Sequence, residues 1–322
     1  MLIFLQRRGS FYRQERGIAL LLVLLVVALA SIASASLASR QYLEIRRTTN
    51  VIRANEAYFM VLGAEQWARQ ILRRDLKDTR TDSLQDAWAG DLSNIKLQRG
   101  QLNGRIVDLQ GRYNLNNLVK KNTGDSDSNE IKRFMRLLEA LSIDTSLAQA
   151  VVDWIDAGIN PLLPAGAEDQ EYLGLDTPYR TANRPMANIT ELLLIKGFNE
   201  EIFRQLSPHI TALPVYTEVN INTASVPVIM AMIAGIGESG AEDIVAQREL
   251  QAFNDVSELR NMQALEGRTI IGINVKSEFF MSEFEMKLDG VVTVLTSILY
   301  RPVSQTGKTV ISVLGRTQGY AQ

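Results

Sequence analysis

Residues 18–39 read IALLLVLLVVALASIASASLAS, a run of 22 residues without a charged side chain. At about 1.5 Å per residue, a helix of this length covers the roughly 30 Å hydrocarbon core of a bilayer. Arginines at positions 7, 8, 13 and 16 precede the run, against the single acid Glu15. An excess of positive charge is typical of cytoplasmic flanks, so the sequence predicts a single-pass anchor with the bulk of the chain outside. Arginines at positions 40, 46, 47 and 53 follow the run and weaken this orientation signal.

The helical pattern continues past the apolar run. Small and apolar residues recur every three or four positions, at Val51, Ala54, Tyr58, Val61, Ala64, Ala68 and Ile71. A continuous helix of about 55 to 60 residues would be about 85 Å long. The segment can therefore be a secretory signal, a plain anchor or a prepilin-type leader that loses only its charged arm. The Ala/Ser-rich residues 30–39 imitate a signal-peptide cleavage site, but a signal peptide does not continue into such a helix.

Composition excludes several classes of function. The chain has 322 residues, a formal net charge of -2, no cysteine and one histidine, His209. Disulfides, thiolate metal sites and zinc sites with several imidazoles are therefore impossible. The balanced charge provides no global attraction to nucleic acid. Because no nucleophile elbow, phosphate-binding glycine loop or dinucleotide fingerprint is present, we expect a protein that is not an enzyme.

The remaining pattern predicts an α+β fold. Strand signals occupy residues 95–98, 102–109, 279–288, 291–300 and 309–315, and Asp289-Gly290 is a strong hairpin signal. Between these strands, short helical patterns cover residues 130–141, 146–157, 189–195, 200–206, 225–234 and 241–250. We predict a long N-terminal helix beside an antiparallel sheet, with a large all-α domain inserted into the sheet.

The N-terminus resembles a family. Gln14-Glu15-Arg16-Gly17, followed by Ile18-Ala19-Leu20-Leu21-Leu22, resembles the leader and cleavage site of type IV pilin-like proteins. The resemblance implies that prepilin peptidase cleaves after Gly17 and methylates Ile18. Most pseudopilins carry glutamate as the fifth mature residue, where this chain has Leu22. A buried carboxylate is costly unless it is paired, so the subunit that begins a filament can lose it.

Large size and the missing glutamate resemble the K-type minor pseudopilins of type II secretion systems (general secretion pathway protein K). The resemblance implies a pilin-like long helix packed on an antiparallel sheet. Its parts would be a leader (1–17), a transmembrane segment (18–39), the rest of the long helix (40–78), the first part of the sheet domain (79–115), an inserted all-α domain (116–270) and the C-terminal strands (271–322).

The resemblance also implies a function. The protein would form the tip of a pseudopilus with the I-type and J-type minor pseudopilins and prime its assembly. Its further partners would be the major pseudopilin, prepilin peptidase and the inner-membrane assembly platform, with no nucleic acid. It would lie in the inner membrane with a cytoplasmic N-terminus and a periplasmic bulk.

Acidic loops inside the insertion suggest a metal site. The runs Asp153-Trp154-Ile155-Asp156, Gly166-Ala167-Glu168-Asp169 and Tyr179-Arg180 to Asn183 are separated by prolines. Loop-borne carboxylates suit calcium, which takes six to eight oxygen ligands in flexible geometry. The runs are similar to the calcium-binding region of K-type pseudopilins.

That likeness implies Asp156, Glu168 and Asp169 as calcium ligands, supplemented by Asp153, Asn183 and backbone carbonyls. The family often has a third acid where this chain has Gly158, which leaves the number of ligands open. The alternative is that these carboxylates cap helices and form ion pairs with Arg180 and Arg184.

A second motif supports a rival function. Residues 219–259, with Gly235-Ile236-Gly237 at their centre, resemble a helix-hairpin-helix unit of competence DNA receptors. The alternative is therefore a membrane-anchored DNA receptor of a competence-like system. Glu238, Glu242 and Asp243 follow the turn and would repel phosphates, which favours a structural use of the hairpin. A third possibility is an anchored periplasmic hydrolase that uses Asp153 or Glu168.

Overall fold

The computed structural model describes residues 15–120, 122–302 and 310–319. Residues 1–14 of the expected leader therefore lie outside the described residues, as do residues 303–309 and 320–322 of the expected C-terminal strands. The chain divides into two compact units, Met1–Ala57 and Tyr58–Gln322. Helix α1 (Glu15–Asp78) contributes residues to both units. Its length confirms the prediction that the helix continues past the apolar run.

A five-stranded antiparallel sheet forms the frame of the second unit. Its strands are β1 (Ile95–Leu97), β2 (Gly100–Asp108), β3 (Phe279–Leu288), β4 (Val291–Tyr300) and β5 (Ser312–Gln318), which lie side by side in chain order. Asp289 and Gly290 turn β3 into β4, and both have positive φ angles, of 46° and 85°. Both central residues of a type I′ turn need that conformation, so the hairpin signal is confirmed.

Residues 58–78 of α1 pack on this sheet. Val61, Ala64, Ala68 and Leu72 are buried at helical spacing. On the same side, the Glu65 carboxylate accepts a hydrogen bond from Ser297 of β4. The prediction of a long helix packed on an antiparallel sheet is confirmed.

The last strand lies later in the chain than predicted. The sequence suggested residues 309–315, of which Thr309 lies outside the described residues, whereas β5 runs over Ser312–Gln318. Nearly all of β5 is exposed at the sheet edge. An exposed strand lacks the alternation of buried and polar side chains from which a register is read, so the sequence located it poorly.

Residues 109–278 connect β2 to β3 and are mainly helical. The α-helices are α2 (Ser128–Ala140), α3 (Leu147–Ile155), α4 (Asp169–Leu173), α5 (Glu200–Leu206), α6 (Val226–Met232), α7 (Gly237–Leu250) and α8 (Val256–Leu259). Their shared core buries large side chains such as Phe134, Leu137, Val151 and Ile229.

Two features of the insertion differ from an all-α prediction. Tyr113–Asn114 pairs in parallel with Ile210–Thr211, and Val219–Asn220 pairs in parallel with Ile273–Asn274. Strands of two residues have no detectable periodicity, so the sequence did not show them. The predicted helix at residues 189–195 is a 3₁₀ helix, Ile189–Leu194, which a capping box at Asn188 begins. At six residues it is longer than most 3₁₀ segments, which are commonly three or four residues long.

Candidate functional site

An aromatic cluster gathers the three predicted calcium loops. Trp154 of α3 lies edge-on to Tyr172 of α4, with ring centroids 5.5 Å apart, and Tyr179 stacks on Tyr172 at 5.3 Å. The Asn183 N–H donates to the carbonyl of Trp154 at 3.0 Å. These contacts hold residues 153–156, 168–169 and 179–183 around the C-terminal end of α3.

Asp153 lies in the last turn of α3 with a fully buried side chain. Its two carboxylate oxygens accept the Leu162 N–H at 3.2 and 3.1 Å. A Cβ on Gly166 would lie 2.1 Å from Asp153 Oδ2, so only glycine fits at position 166. Burial raises the pKa of Asp153 to about 6, although backbone hydrogen bonds from Leu162 and Ala167 oppose the shift.

Glu168 carries an unsatisfied carboxylate oxygen. The side chain is buried, and its Oε1 has no hydrogen-bond partner among the described residues. Its other oxygen accepts a long hydrogen bond of 3.4 Å from the Thr181 hydroxyl. Burial, and then repulsion from Asp153 and Asp156, raises the pKa of Glu168 to about 7. A cation at this position would supply the missing partner and relieve the repulsion.

Asp156 and Asn183 border this region with accessible side chains. Asp156 Oδ1 accepts the Gly158 N–H at 2.8 Å. Burial raises its pKa, and the charge of Asp125 contributes. Asn183 is exposed and has a φ of 45°, a left-handed conformation that asparagine tolerates better than most residues. Both residues leave oxygen atoms available for a hard cation.

Asp169 has local partners for both oxygens. Oδ1 accepts the Thr181 N–H at 3.0 Å and the Thr181 hydroxyl at 2.9 Å, and Oδ2 pairs with Arg180 Nη1 at 2.9 Å. The Thr181 hydroxyl hydrogen bond is the main cause of its lowered pKa. The structure therefore shows Asp169 in the ion pair with Arg180 that was expected as the alternative to a calcium ligand. Arg184 instead lies 4.0 Å from Glu191.

A different acidic trio, which the sequence reasoning missed, is the tightest in the described part of the chain. One ligand oxygen each of Asp75, Asp82 and Asp86 lies within 4.8 Å of the others. Arg301 pairs with Asp75 at 2.9 Å and also with Asp82, so a guanidinium already neutralises part of this charge. The four predicted calcium carboxylates contain no trio this close. In the sequence, the only sign of this trio is the polar segment that begins at the end of the long helix.

The carboxylates considered for a hydrolase, Asp153 and Glu168, lie apart from the nearby cleft. A cleft of about 200 Å³ lies nearby, lined by Ile155, Ala157, Asn183, Lys120 and Tyr216 among others, but neither Asp153 nor Glu168 lines it. His209 Nδ1 contacts the Ser225 hydroxyl at 2.7 Å. Burial, and then the charge of Arg112, lowers the histidine pKa.

The helical hairpin has acids around its turn. Gly235 and Gly237 both adopt positive φ angles, of 71° and 70°, between α6 and α7. Glu238, Glu242 and Asp243 are exposed on α7. An exposed acidic surface repels a phosphate backbone, so the hairpin geometry does not favour DNA binding.

The predicted processing site lies at the start of α1. Gly17 and Ile18 are helical and exposed. Among the described residues one helix, over Gly17–Asp78, is long and apolar enough to cross a membrane. Side chains of the apolar run, such as Leu22, are more than half exposed. This helix is compatible with a single-pass anchor.

Comparisons with known proteins identify similar chains. Two models of the family described as type II secretion system (T2SS), protein K match residues 111–215 and 219–276. The type II secretion system protein K of Pseudomonas aeruginosa is 39% identical over 321 residues, covering 95% of this chain and 94% of the relative. The proteins of the same name from Aeromonas hydrophila and Klebsiella pneumoniae are 29% and 32% identical, covering 86% and 74% of this chain and 88% and 75% of the relatives.

The fold also has a solved counterpart. A crystal structure of the GspK-GspI-GspJ complex from the enterotoxigenic Escherichia coli type 2 secretion system contains a chain that matches with a TM-score of 0.74. The match covers 85% of this chain and 100% of that chain, at 22% sequence identity. At this identity the likeness establishes the fold.

Proposed function

The chain belongs to the type II secretion system protein K family and is a minor pseudopilin, and on that premise we propose that it forms the tip of a pseudopilus and primes its assembly. The observation that carries the proposal is the similarity to protein K across 95% of the chain. The I-type and J-type minor pseudopilins are its proposed partners in the tip. The crystallised complex that contains a chain of this fold also contains GspI and GspJ, which supports this choice.

The proposed role is mechanical and needs no catalytic step. Helix α1 anchors the protein in the inner membrane, and small residues between Ala28 and Ser39 let other pseudopilin helices approach closely where the bilayer provides no hydrophobic drive. Leu22 replaces the glutamate that would pair with a neighbouring N-terminal amine. A subunit at the tip has no such neighbour beyond it, so the apolar residue avoids a buried unpaired charge. Filament growth would continue from this complex with the major pseudopilin and the assembly platform.

Processing is part of the proposal. Prepilin peptidase would cleave after Gly17, leaving a methylated Ile18 as the first mature residue. The N-terminal mass and sequence of the protein recovered from membranes with its own peptidase test this directly. A chain that begins at Met1 or beyond Ser39 would contradict the filament role. Separately, the tip assignment would be contradicted if neither the I-type nor the J-type pseudopilin co-purified with the protein.

Calcium is the proposed structural ion of the insertion. Asp156 and Glu168 would supply charged oxygens, and Asn183 and backbone carbonyls would supply neutral ones, with Asp153 behind them. Asp169 would act as a ligand only after release from Arg180 and Thr181. The unpartnered Glu168 oxygen and its raised pKa support this choice. Bound calcium would neutralise the repulsion between the acids and tie residues 156–168 to the end of α3.

We predict that Glu168→Gln removes the stabilisation by calcium. At a calcium concentration 100 times Kd, the ion should stabilise the wild-type fold by about 2.7 kcal/mol. The measurement is thermal unfolding of the full chain in detergent with and without calcium. Glu171→Gln is the matched control, because Glu171 lies on α4 but pairs with Lys196 at 3.1 Å. An equal calcium effect in wild type and Glu168→Gln would contradict the assigned site.

A further inference from the structure

Three arginines lie on α1 directly after the apolar run, within Met1–Ala57. Arg40, Arg46 and Arg47, which we call the interfacial arginines, are all exposed. Over residues 40–47 the only opposing charge is Glu44. Tyr42 lies between them and is also exposed. Tyrosine is enriched where a membrane helix meets water, so this composition is typical of an interfacial segment.

Two of these side chains point back toward the apolar run. The Arg46 guanidinium carbon lies 4.8 Å from the centre of the Tyr42 ring, and Arg47 Nη1 lies 3.2 Å from Glu44 Oε1. Both partners precede their arginine by about one helical turn. The direction follows from helix geometry, because each Cα–Cβ bond tilts toward the N-terminus. The guanidinium groups therefore lie closer to the apolar run than their own backbone does.

All three guanidinium groups then lie at the depth of the lipid headgroups, because Arg46 and Arg47 reach back toward the apolar run. The layer of lipid headgroups on each side of the hydrocarbon core is about 5 to 8 Å thick. Arg40 is the first residue after the run, and the backbone of Arg46 and Arg47 lies about 9 to 10 Å further along the helix. A reach back of one turn, about 5 Å, brings their guanidiniums into the headgroup layer. Arg53 lies about 20 Å beyond Arg40, outside that layer.

The placement of these charges is costly for insertion, since arginine is normally favoured on the cytoplasmic side of a span. If the leader is removed as proposed above, Arg7, Arg8, Arg13 and Arg16 leave with it. The interfacial arginines are then the nearest basic side chains to the span on either side. A guanidinium presents a planar fork of donors that matches a phosphate group.

We propose that the interfacial arginines bind the phosphate groups of anionic phospholipids in the periplasmic leaflet and hold the mature helix at a defined depth. The inference rests on the anchor and on the orientation given under the proposed function. Lipid phosphate is present along this surface before any other pseudopilin arrives. Entry of the helix into the filament then requires release of these headgroups, so the contact sets how readily the subunit leaves the bilayer.

The test is native mass spectrometry of the mature protein, purified from membranes whose peptidase has removed the leader arginines, in a neutral detergent with equimolar phosphatidylglycerol and phosphatidylcholine. The wild type should retain phosphatidylglycerol preferentially. Each of Arg40→Gln and Arg46→Gln should weaken that preference by roughly fivefold, the effect of one arginine at an anionic surface. The triple variant of the interfacial arginines should show no preference. These side chains are exposed, so the substitutions leave the packed core intact.

Arg53→Gln is the matched control and should retain the wild-type preference, because it removes the same charge from the same helix outside the headgroup layer. Equal retention of both lipids by the wild type, or an equal loss in Arg53→Gln and Arg40→Gln, would overturn the inference. So would a triple variant that keeps its lipid preference but loses the I-type and J-type proteins, since the arginines would then bind protein.

Failure of the anchor is a separate result. Carbonate extraction of membranes that carry the wild type would release the protein if α1 did not span, which would overturn both the proposed anchor and this inference. A protein that resists extraction but shows no lipid preference would overturn the inference alone.

Discussion

Arg301 joins the long helix to the residues that follow it. The side chain is buried, pairs with Asp75 and Asp82, and lies over the Phe280 ring with its guanidinium carbon 4.6 Å from the ring centre. Arg301 thus pairs with two of three clustered carboxylates, of which Asp86 is the third. Burial, together with repulsion from Asp82 and Asp86, raises the pKa of Asp75 to about 7 despite the hydrogen bond from Arg301. The Asp75 carboxyl therefore exchanges its proton near neutral pH.

The raised pKa of Asp75 predicts a pH-dependent stability. An unfolded aspartate has a pKa of about 3.9, so between about pH 4 and 7 the folded state binds more protons at this group than the unfolded state does. The contribution of Asp75 to stability therefore falls as pH rises through that window. Relative to wild type, Asp75→Asn should flatten the decline by up to about 1.4 kcal/mol per pH unit. The measurement is urea unfolding of the full chain in detergent at several pH values.

Asp78→Asn is the control for this prediction, because Asp78 is exposed at the end of α1. It should keep the wild-type pH dependence. A wild-type slope in Asp75→Asn would show that Asp75 titrates normally in the fold.

At the scale of elements, one ion pair fastens the edge strand to the long helix. Glu65 of α1 is fully buried, and Arg316 of β5 donates hydrogen bonds to both of its carboxylate oxygens, at 2.6 and 2.8 Å. Burial opposes the charged form of Glu65, but hydrogen bonds from Arg316 and Ser297 outweigh it and lower the pKa. Since β5 buries little apolar surface, this pair is its main tie to the helix.

We predict that Arg316→Ala destabilises the fold by roughly 2 to 4 kcal/mol, because it leaves the Glu65 carboxylate buried with less compensation. Urea unfolding followed by tryptophan fluorescence measures the change. The control is Arg105→Ala on β2, which breaks an ion pair with Glu283 at 2.8 Å at the exposed surface of the same sheet. That change should cost at most about 1 kcal/mol. Equal costs would mean that the Glu65 pair contributes no more than a surface pair.

At the scale of the whole molecule, the insertion is attached to the sheet by a buried polar network. The Asn220 Nδ2 amide shares its two hydrogens among three acceptors, the Asp82 carbonyl at 3.0 Å, Asp108 Oδ2 at 2.9 Å and the Ser277 hydroxyl at 3.0 Å. Thr223 and Ser277 also donate to Asp108, which lies at the end of β2. Burial raises the pKa of Asp108, although hydrogen bonds from Thr223 and Ser277 oppose the shift. The network joins the points where the chain leaves and re-enters the sheet.

Asn220→Ala should therefore cost roughly 2 to 4 kcal/mol, because buried acceptors lose their donor. It should also uncouple the insertion from the sheet, so that fluorescence of Trp154 and Trp88 reports separate unfolding transitions. Single-tryptophan variants in urea measure both effects. Asn199→Ala removes an exposed helix cap, Oδ1 to the Ile202 N–H at 2.9 Å, and should cost about 1 kcal/mol without uncoupling. Coincident transitions in Asn220→Ala would contradict the junction role.

Several parts of this protein can be predicted from local sequence pattern. The uncharged run at residues 18–39, the helical spacing beyond it and the Asp289-Gly290 turn are read without knowledge of distant contacts, because each depends on neighbours a few residues apart. The α+β class follows from these patterns, and the leader motif at Gly17 together with Leu22 gave the family resemblance that the similarity to protein K confirms.

The contacts between distant polar groups cannot be predicted in this way, because folding brings them together. Glu65 and Arg316 are 251 residues apart, and Asp75 and Arg301 are 226 residues apart, so no local rule pairs them. Asp169 and Glu168 are adjacent in sequence, yet Asp169 is satisfied by Arg180 and Thr181, whereas one buried oxygen of Glu168 has no hydrogen-bond partner in the described part of the chain. Their different roles depend on burial and on the direction of each side chain. Packing of the whole insertion sets both, because the pKa of a buried carboxylate depends on every group that folding brings beside it.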